Sequence, residues 1–108
     1  MNVNINPKLK DDATDQLFRA ILLLENIEEC YAFFEDICTI NEMKSLAQRL
    51  DVARMLQQGS KYTEITEETG ASAATISRVN RALSYGSDGY KSMLERLKEH
   101  TPKGEQLK

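Results

Sequence analysis

A segment of small polar and basic residues between positions 61 and 81 carries the groups best suited to ligand recognition in this 108-residue chain. Serine and threonine hydroxyls and arginine guanidinium groups bind phosphate oxygens and the edges of DNA bases. Lys61 and Arg81 suit phosphates that flank such a site. The pattern therefore predicts an interface with double-stranded DNA. Its candidate contacts are Lys61, Thr66, Ser72, Ala73, Ala74, Thr75, Ser77, Arg78 and Arg81.

Residues able to perform catalysis or to hold a metal are scarce. His100 is the only histidine, and Cys30 and Cys38 are the only cysteines. Metal sites commonly use Cys-x-x-Cys or His-x-x-x-His spacings, and neither occurs in the sequence. Most acid–base and nucleophilic active sites use histidine, and this sequence offers one histidine at most for such a site. We therefore expect no enzyme, no metal site and no cofactor, and we interpret the cysteines as buried or half-buried thiols.

The elements that must position the candidate contacts form a helix-turn-helix pattern. A short helix is predicted over 62–69 and a second helix over about 73–83. Gly70 supplies the positive φ of a tight turn, and Ser72 suits the N-cap of the second helix. The apolar anchors that would hold the two helices together are Ile65, Ala71, Ile76 and Val79.

Other features keep two alternatives open. The first helix of the pair carries Thr66 and Thr69, where alanine and a larger apolar residue are usual. The net charge of the chain is −3, and Glu64, Glu67 and Glu68 lie in that same helix. The two helices could then form a hairpin that only packs, within a dimeric protein-interaction module that does not read DNA. However, residues 1–39 hold a net charge of −5 and residues 40–85 one of +1, so a local cationic face can still exist.

Two helices are predicted in the first third of the chain. One begins near Asp11 or Asp12, and the other covers 27–36. Phe18, Leu22 and Leu23 lie outside the apolar stripe of the first helix, so that helix should be buried on more than one side. Because a chain of this length has little core, we expect a dimer with interlocked helices. The residues expected to face inward are Ala13, Leu17, Ala20, Ile21, Leu24, Cys30, Phe33, Phe34 and Ile37.

A long helix over 41–57 and a final helix over 88–99 complete the predicted set. Thr39 and Glu42 have the spacing of a capping box, and Gly59 suits the end of the long helix. The apolar stripe of the long helix is Met43, Leu46, Ala47, Leu50, Ala53 and Leu56, and that of the final helix is Tyr90, Met93, Leu94 and Leu97.

The length predicts one domain over 1–108, with flexible tails at 1–10 and 101–108. We find no apolar run long enough for a membrane helix and no apolar core of a secretion signal near the N-terminus. The expected location is the cytoplasm, without a membrane partner.

The stretch 39–83 resembles the Trp repressor family, and most closely its Trp-repressor-like proteins of the YerC/YecD type. This resemblance implies an all-α intertwined homodimer of about six helices per chain. It also implies a transcriptional regulator, most simply a repressor, that binds a near-palindromic operator. The two reading helices would lie about 34 Å apart, one turn of DNA.

The resemblance further implies a pocket for a small-molecule effector between the long helix and the reading helix. Thr39, Arg49 and Arg78 match positions at that pocket. Val79 stands where the family has glycine, and Ala82 stands where it has serine. We therefore expect that tryptophan is not the effector, and that the chain binds either another small ligand or none. The arginines could instead pair with acids such as Asp51 or Glu42.

Overall fold

The computed structural model describes residues 5–100, which fold into helices without a β-strand. The prediction of an all-α fold with six helices is confirmed. The first four residues and the predicted tail at 101–108 lie outside the described part. The α-helices are α1 Asp12–Leu22, α2 Ile27–Ile37, α3 Ile40–Gln57, α4 Tyr62–Thr69, α5 Ala73–Tyr85 and α6 Gly89–His100.

Local capping chemistry explains where α1 and α3 begin. The backbone N–H of Thr14 donates to Asp11 Oδ1 at 2.7 Å, as an N-cap requires. At α3, the N–H of Thr39 donates to Glu42 Oε1 at 2.8 Å, and the N–H of Glu42 donates to Thr39 Oγ1 at 3.1 Å. Both caps agree with the sequence prediction.

These hydrogen bonds favour the ionised carboxylates. The Thr14 N–H lowers the pKa of Asp11, and the Thr39 N–H lowers the pKa of Glu42. A carboxyl group with a lowered pKa in the folded state stabilises the fold above its unfolded-state pKa. That contribution is lost as the pH falls through the folded-state pKa.

Pro7–Leu9 form a short 3-10 helix inside the segment that the sequence predicted as a tail. Proline at its first position already has the required φ, and the N–H of Lys8 donates to Asn6 Oδ1 at 3.0 Å. The single domain and the flexibility of both tails stay predictions.

Residues 5–45 form an N-terminal unit in which every described side chain is at least partly exposed. The predicted inward residues Leu17, Ala20, Ile21, Leu24, Cys30, Phe33 and Phe34 are half-buried. Ala13 and Ile37 are exposed, so their predicted burial is wrong in a single chain. Ala13 lies in the first turn of α1 and Ile37 is the last residue of α2, where a helix has a neighbouring turn on one side only.

Residues 46–100 form a C-terminal unit with an apolar core. The anchors predicted for the helix-turn-helix are all in it. On α3, however, Val52 and Met55 are buried, whereas Leu46, Ala47 and Leu50 of the predicted stripe are exposed. The apolar residues of α3 lie on several sides of the helix, so periodicity alone could not identify its buried face. The core residues are Val52, Ala53, Met55, Ile65, Ala71, Ile76, Val79, Leu83 and Leu94.

Among the described residues, no helix combines the length and apolar character needed to cross a membrane.

Candidate nucleic-acid interface

A tight turn joins α4 to α5. Gly70 ends α4 with φ 74°, in the left-handed region where a side chain is strained, and its N–H donates to the carbonyl of Thr66 at 2.9 Å. Ser72 then caps α5, because its Oγ accepts the N–H of Thr75 at 3.1 Å. The glycine turn and the serine cap were both predicted. Together they set the direction in which α5 leaves the turn.

The hydroxyl of Thr69 forms two hydrogen bonds within the turn. It donates to the carbonyl of Ile65 at 2.7 Å and accepts the N–H of Ala71 at 3.1 Å. Ala71 is 1% exposed, so without Thr69 its N–H would lack this buried acceptor. Thr69, which departs from the usual apolar pattern, therefore stabilises the turn through two hydrogen bonds. An apolar side chain at this position could form neither.

Gln48 of α3 holds the same turn from a second helix. Its Nε2 donates to the carbonyl of Thr69 at 3.0 Å, and the contact is partly buried. Neither Gln48 nor Thr69 was predicted to hold the turn. A hydroxyl residue directly before the glycine was a usable signal for Thr69, whereas nothing in the local sequence pairs Gln48 with a residue 21 positions away.

We expect Thr69→Val to lower the free energy of unfolding by about 1–3 kcal/mol, because it leaves the buried Ala71 N–H without its acceptor. Urea unfolding of both proteins at one concentration measures the difference. Thr63→Val is the matched control, since Thr63 is an exposed residue of the same helix. Equal losses in the two variants would contradict the role assigned to the Thr69 hydroxyl.

The two sides of α5 differ in character. Ile76, Val79 and Leu83 are buried along one side. Arg78 and Arg81 are exposed, and neither forms an ion pair with another residue in the range 5–100. α5 itself contains no acidic residue. Its outer side is therefore a cationic surface open to a ligand.

The predicted contacts divide between that surface and its surroundings. Lys61, the N-cap residue of α4, and Thr66 within α4 are exposed, and the Lys61 N–H donates to Glu64 Oε1 at 3.1 Å. Thr75 is half-buried, and its hydroxyl accepts from Ser72 Oγ at 3.1 Å, which makes it part of the cap. The residues brought together on the exposed side of α5 and its cap are Ser72, Ala73, Ala74, Ser77, Arg78 and Arg81.

The predicted effector residues occupy different environments. Val79 is 1% exposed and belongs to the core. Arg49 and Ala82 are half-buried in the C-terminal unit, and Arg78 is exposed. Thr39 belongs to the N-terminal unit, where its N–H and its hydroxyl are both used in the capping box.

The predicted pairing of Arg78 with Asp51 or Glu42 does not occur in the described part of the chain. Asp51 pairs with Arg54, with Oδ1 at 2.7 Å from Nη2. Glu42 accepts the Thr39 N–H. Arg78 therefore keeps its charge available on the outer side of α5.

Known proteins are similar to this chain in sequence, and two solved structures are also similar in fold. The family model described as Trp repressor protein matches residues 12–98. The uncharacterised protein YerC of Bacillus subtilis (strain 168) is 61% identical over 92 residues, covering 85% of this chain and 88% of YerC. The crystal structure of a TrpR-like protein from Eubacterium eligens ATCC 27750 matches with a TM-score of 0.84 and 59% identity, covering 86% of this chain and 96% of the other. A candidate Trp repressor from Staphylococcus aureus matches with a TM-score of 0.82 and 57% identity, covering 84% and 91% of the two chains.

Proposed function

This chain belongs to the Trp repressor family, and from that membership we propose that it represses transcription as a homodimer on a near-palindromic operator. The family is one of DNA-binding regulators and not of enzymes. The observation that carries the finer proposal is the outer side of α5. On this side Arg78 and Arg81 are exposed and form no ion pair within residues 5–100, and the opposite side of α5 packs into the core.

We propose that α5 enters the major groove with this outer side against the bases. Ala73 and Ala74 are small, so the first turn of α5 can approach the groove floor closely. The N–H groups of Ala73 and Ala74 suit a phosphate oxygen, and Lys61 before α4 and Thr66 within α4 suit the neighbouring phosphates. Much of the affinity then comes from phosphate contacts, and it falls as the salt concentration rises.

The homodimer is proposed from the apolar surface of the N-terminal unit. Leu22, Leu23 and Ile40 are 82%, 77% and 77% exposed in the single chain, an arrangement that a stable monomer rarely keeps. A second copy is the occupant we propose, because a two-fold dimer also supplies the second α5 that a palindromic operator requires. A monomeric mass at micromolar concentration would contradict this part of the proposal.

For the effector, we propose a small molecule other than tryptophan, or none. Val79 adds bulk where the family has glycine, and overpacking of this kind costs about 1–3 kcal/mol. Ala82 lacks the hydroxyl of serine, a contact that contributes about 1 kcal/mol. Operator binding measured with tryptophan and with a pool of the other amino acids tests the two parts of this proposal separately.

The test of the function is selection of bound duplexes from a fragmented host-genome library at two salt concentrations. Enrichment of a near-palindrome that survives moderate salt would support the proposal. A folded dimer that enriches nothing, with or without the amino-acid pool, would contradict it. That outcome would favour the protein-interaction module, for which the exposed Glu64, Glu67 and Glu68 of α4 would be the natural surface.

We expect Ser77→Ala and Arg78→Ala each to weaken binding to the selected operator by about 1–3 kcal/mol, because each removes a contact to a base or phosphate. Ser84→Ala is the matched control for the serine, since Ser84 is exposed on the last turn of the same helix. Titration of labelled duplex at one salt concentration gives the three affinities. Unchanged binding by both test variants would refute α5 as the reading helix.

A further inference from the structure

We propose that Arg81 is the specificity-determining residue of α5, and that it selects a guanine about three base pairs from a thymine whose methyl group contacts Ala74. This inference rests on the proposed DNA-binding function and assigns the base that each side chain recognises. The sequence pattern predicted a phosphate contact for Arg81. The register of α5 favours a base contact instead.

The first argument is the row in which Arg81 lies. Residues seven positions apart lie only about 20° apart around an α-helix, so Ala74 and Arg81 form a row along α5. Ser77 lies on one flank of this row and Arg78 on the other. All four are exposed. The buried residues Ile76, Val79 and Leu83 form the opposite row. The row ending at Arg81 is therefore the part of α5 farthest from the core, and it would face the groove floor.

Arg78 has a different position on the helix. It lies about 60° around the helix from Arg81, at the flank of the exposed side. A side chain at the flank of a helix in the major groove is closer to the groove wall, where the phosphates lie. We therefore assign Arg78 to a phosphate and Arg81 to a base, although both carry the same guanidinium group.

The chemistry of the row identifies its partners. A guanidinium group donates two parallel hydrogen bonds to the O6 and N7 acceptors of guanine, which is the commonest specific contact in the major groove. Arg81 has no ion pair among residues 5–100 that would compete for its donors. An alanine methyl makes an apolar contact with the C5-methyl of thymine, and Ala74 is the residue of the row that has only a methyl group.

The spacing along α5 sets the distance between the two bases. Seven residues separate Ala74 from Arg81, which corresponds to about 10.5 Å along the helix axis. Three base-pair steps of duplex DNA measure about 10 Å. Each half of the operator should therefore contain a guanine about three base pairs from a thymine.

The test selects duplexes from a randomised library with the full-length wild type, Arg81→Ala, Arg81→Lys and Arg78→Ala. We expect a thymine–guanine pair of this spacing in each half-site for the wild type. Arg81→Ala should lose the guanine, and Arg81→Lys should select it less strongly, because lysine keeps the charge without the two-pronged geometry. Arg78→Ala should keep the guanine, bind more weakly to every sequence and show a salt slope smaller by about 1.

Modified duplexes then test the atoms directly. Replacing the guanine with 7-deazaguanine removes the N7 acceptor. The affinity of the wild type should then fall by about 5- to 150-fold, the range for one base-specific contact, and the affinity of Arg81→Ala should not change. Replacing the thymine with uracil should weaken wild-type binding about fourfold, the effect of one methyl group. Unfolding curves of each variant check that the exposed substitutions leave the fold intact.

The outcomes separate the inference from the function on which it rests. A wild-type motif without the guanine, or the same guanine selected by Arg81→Ala, would overturn the inference and leave the DNA-binding function standing. If the folded wild-type dimer selects no sequence, the proposed function fails and the inference fails with it.

Discussion

Ile76→Ala is expected to lower the free energy of unfolding by about 2–5 kcal/mol and to abolish operator binding at concentrations where the wild type is saturated. Ile76 is fully buried in the first half of α5. Truncation removes its transfer free energy and leaves a cavity that the surrounding core only partly fills. The same cavity loosens α5, the helix that carries Arg78 and Arg81. One substitution should therefore reduce stability and recognition together.

Urea unfolding at a single protein concentration measures the first effect, because the stability of a dimer depends on protomer concentration. Titration of the selected duplex measures the second. Ile5→Ala is the control of identical chemistry at a site that is 52% exposed. A loss below about 1 kcal/mol for Ile76→Ala would show that α5 does not pack on the core through Ile76.

Leu22→Lys is expected to convert the proposed homodimer into a monomer. Leu22 is 82% exposed in the single chain, and an interface that covered it would bury the new ammonium group without a partner. A buried unpaired charge costs several kcal/mol, so the dimer dissociation constant should rise by at least about 100-fold. Lysine near the C-terminus of α1 interacts favourably with the helix dipole, so α1 itself should not be weakened.

Light scattering over a range of concentrations gives the oligomeric state of the variant and of Gln16→Lys, which adds the same charge at an exposed polar position of α1. The monomer should bind an isolated half-site and the full operator with about the same affinity, because its one α5 can occupy only one half-site at a time. A Leu22→Lys protein that stays dimeric would place Leu22 outside the interface.

The parts of the fold that could be predicted from the sequence depend on contacts between near neighbours. Asp11, Thr39 with Glu42, Gly70 and Ser72 act within three or four residues, and all perform their predicted roles. The anchors of the helix-turn-helix were predictable for the same reason, since their spacing follows the period of the helix.

The features that the sequence did not reveal depend on contacts between distant residues. The hydrogen bond from Gln48 to Thr69 joins two helices, and no local pattern records it. Periodicity also failed on α3, where apolar residues on several sides left the burial of Val52 and Met55 undetermined. For the candidate site, residue types indicated nucleic acid. The proposed difference between Arg81 and Arg78 depends on the register of α5 against the core, which residue types do not give.

The helix caps also differ in electric charge. Ionised acids accept the first N–H groups at α1, α3 and α4, through Asp11, Glu42 and Glu64. At α2 and α5 the N-cap acceptors are uncharged, namely the side-chain amide oxygen of Asn26 and the hydroxyl of Ser72. Aspartate would cap α5 equally well, but it would bring a negative charge to the helix end proposed to meet DNA phosphates. A serine cap keeps α5 ordered without repelling the polyanion.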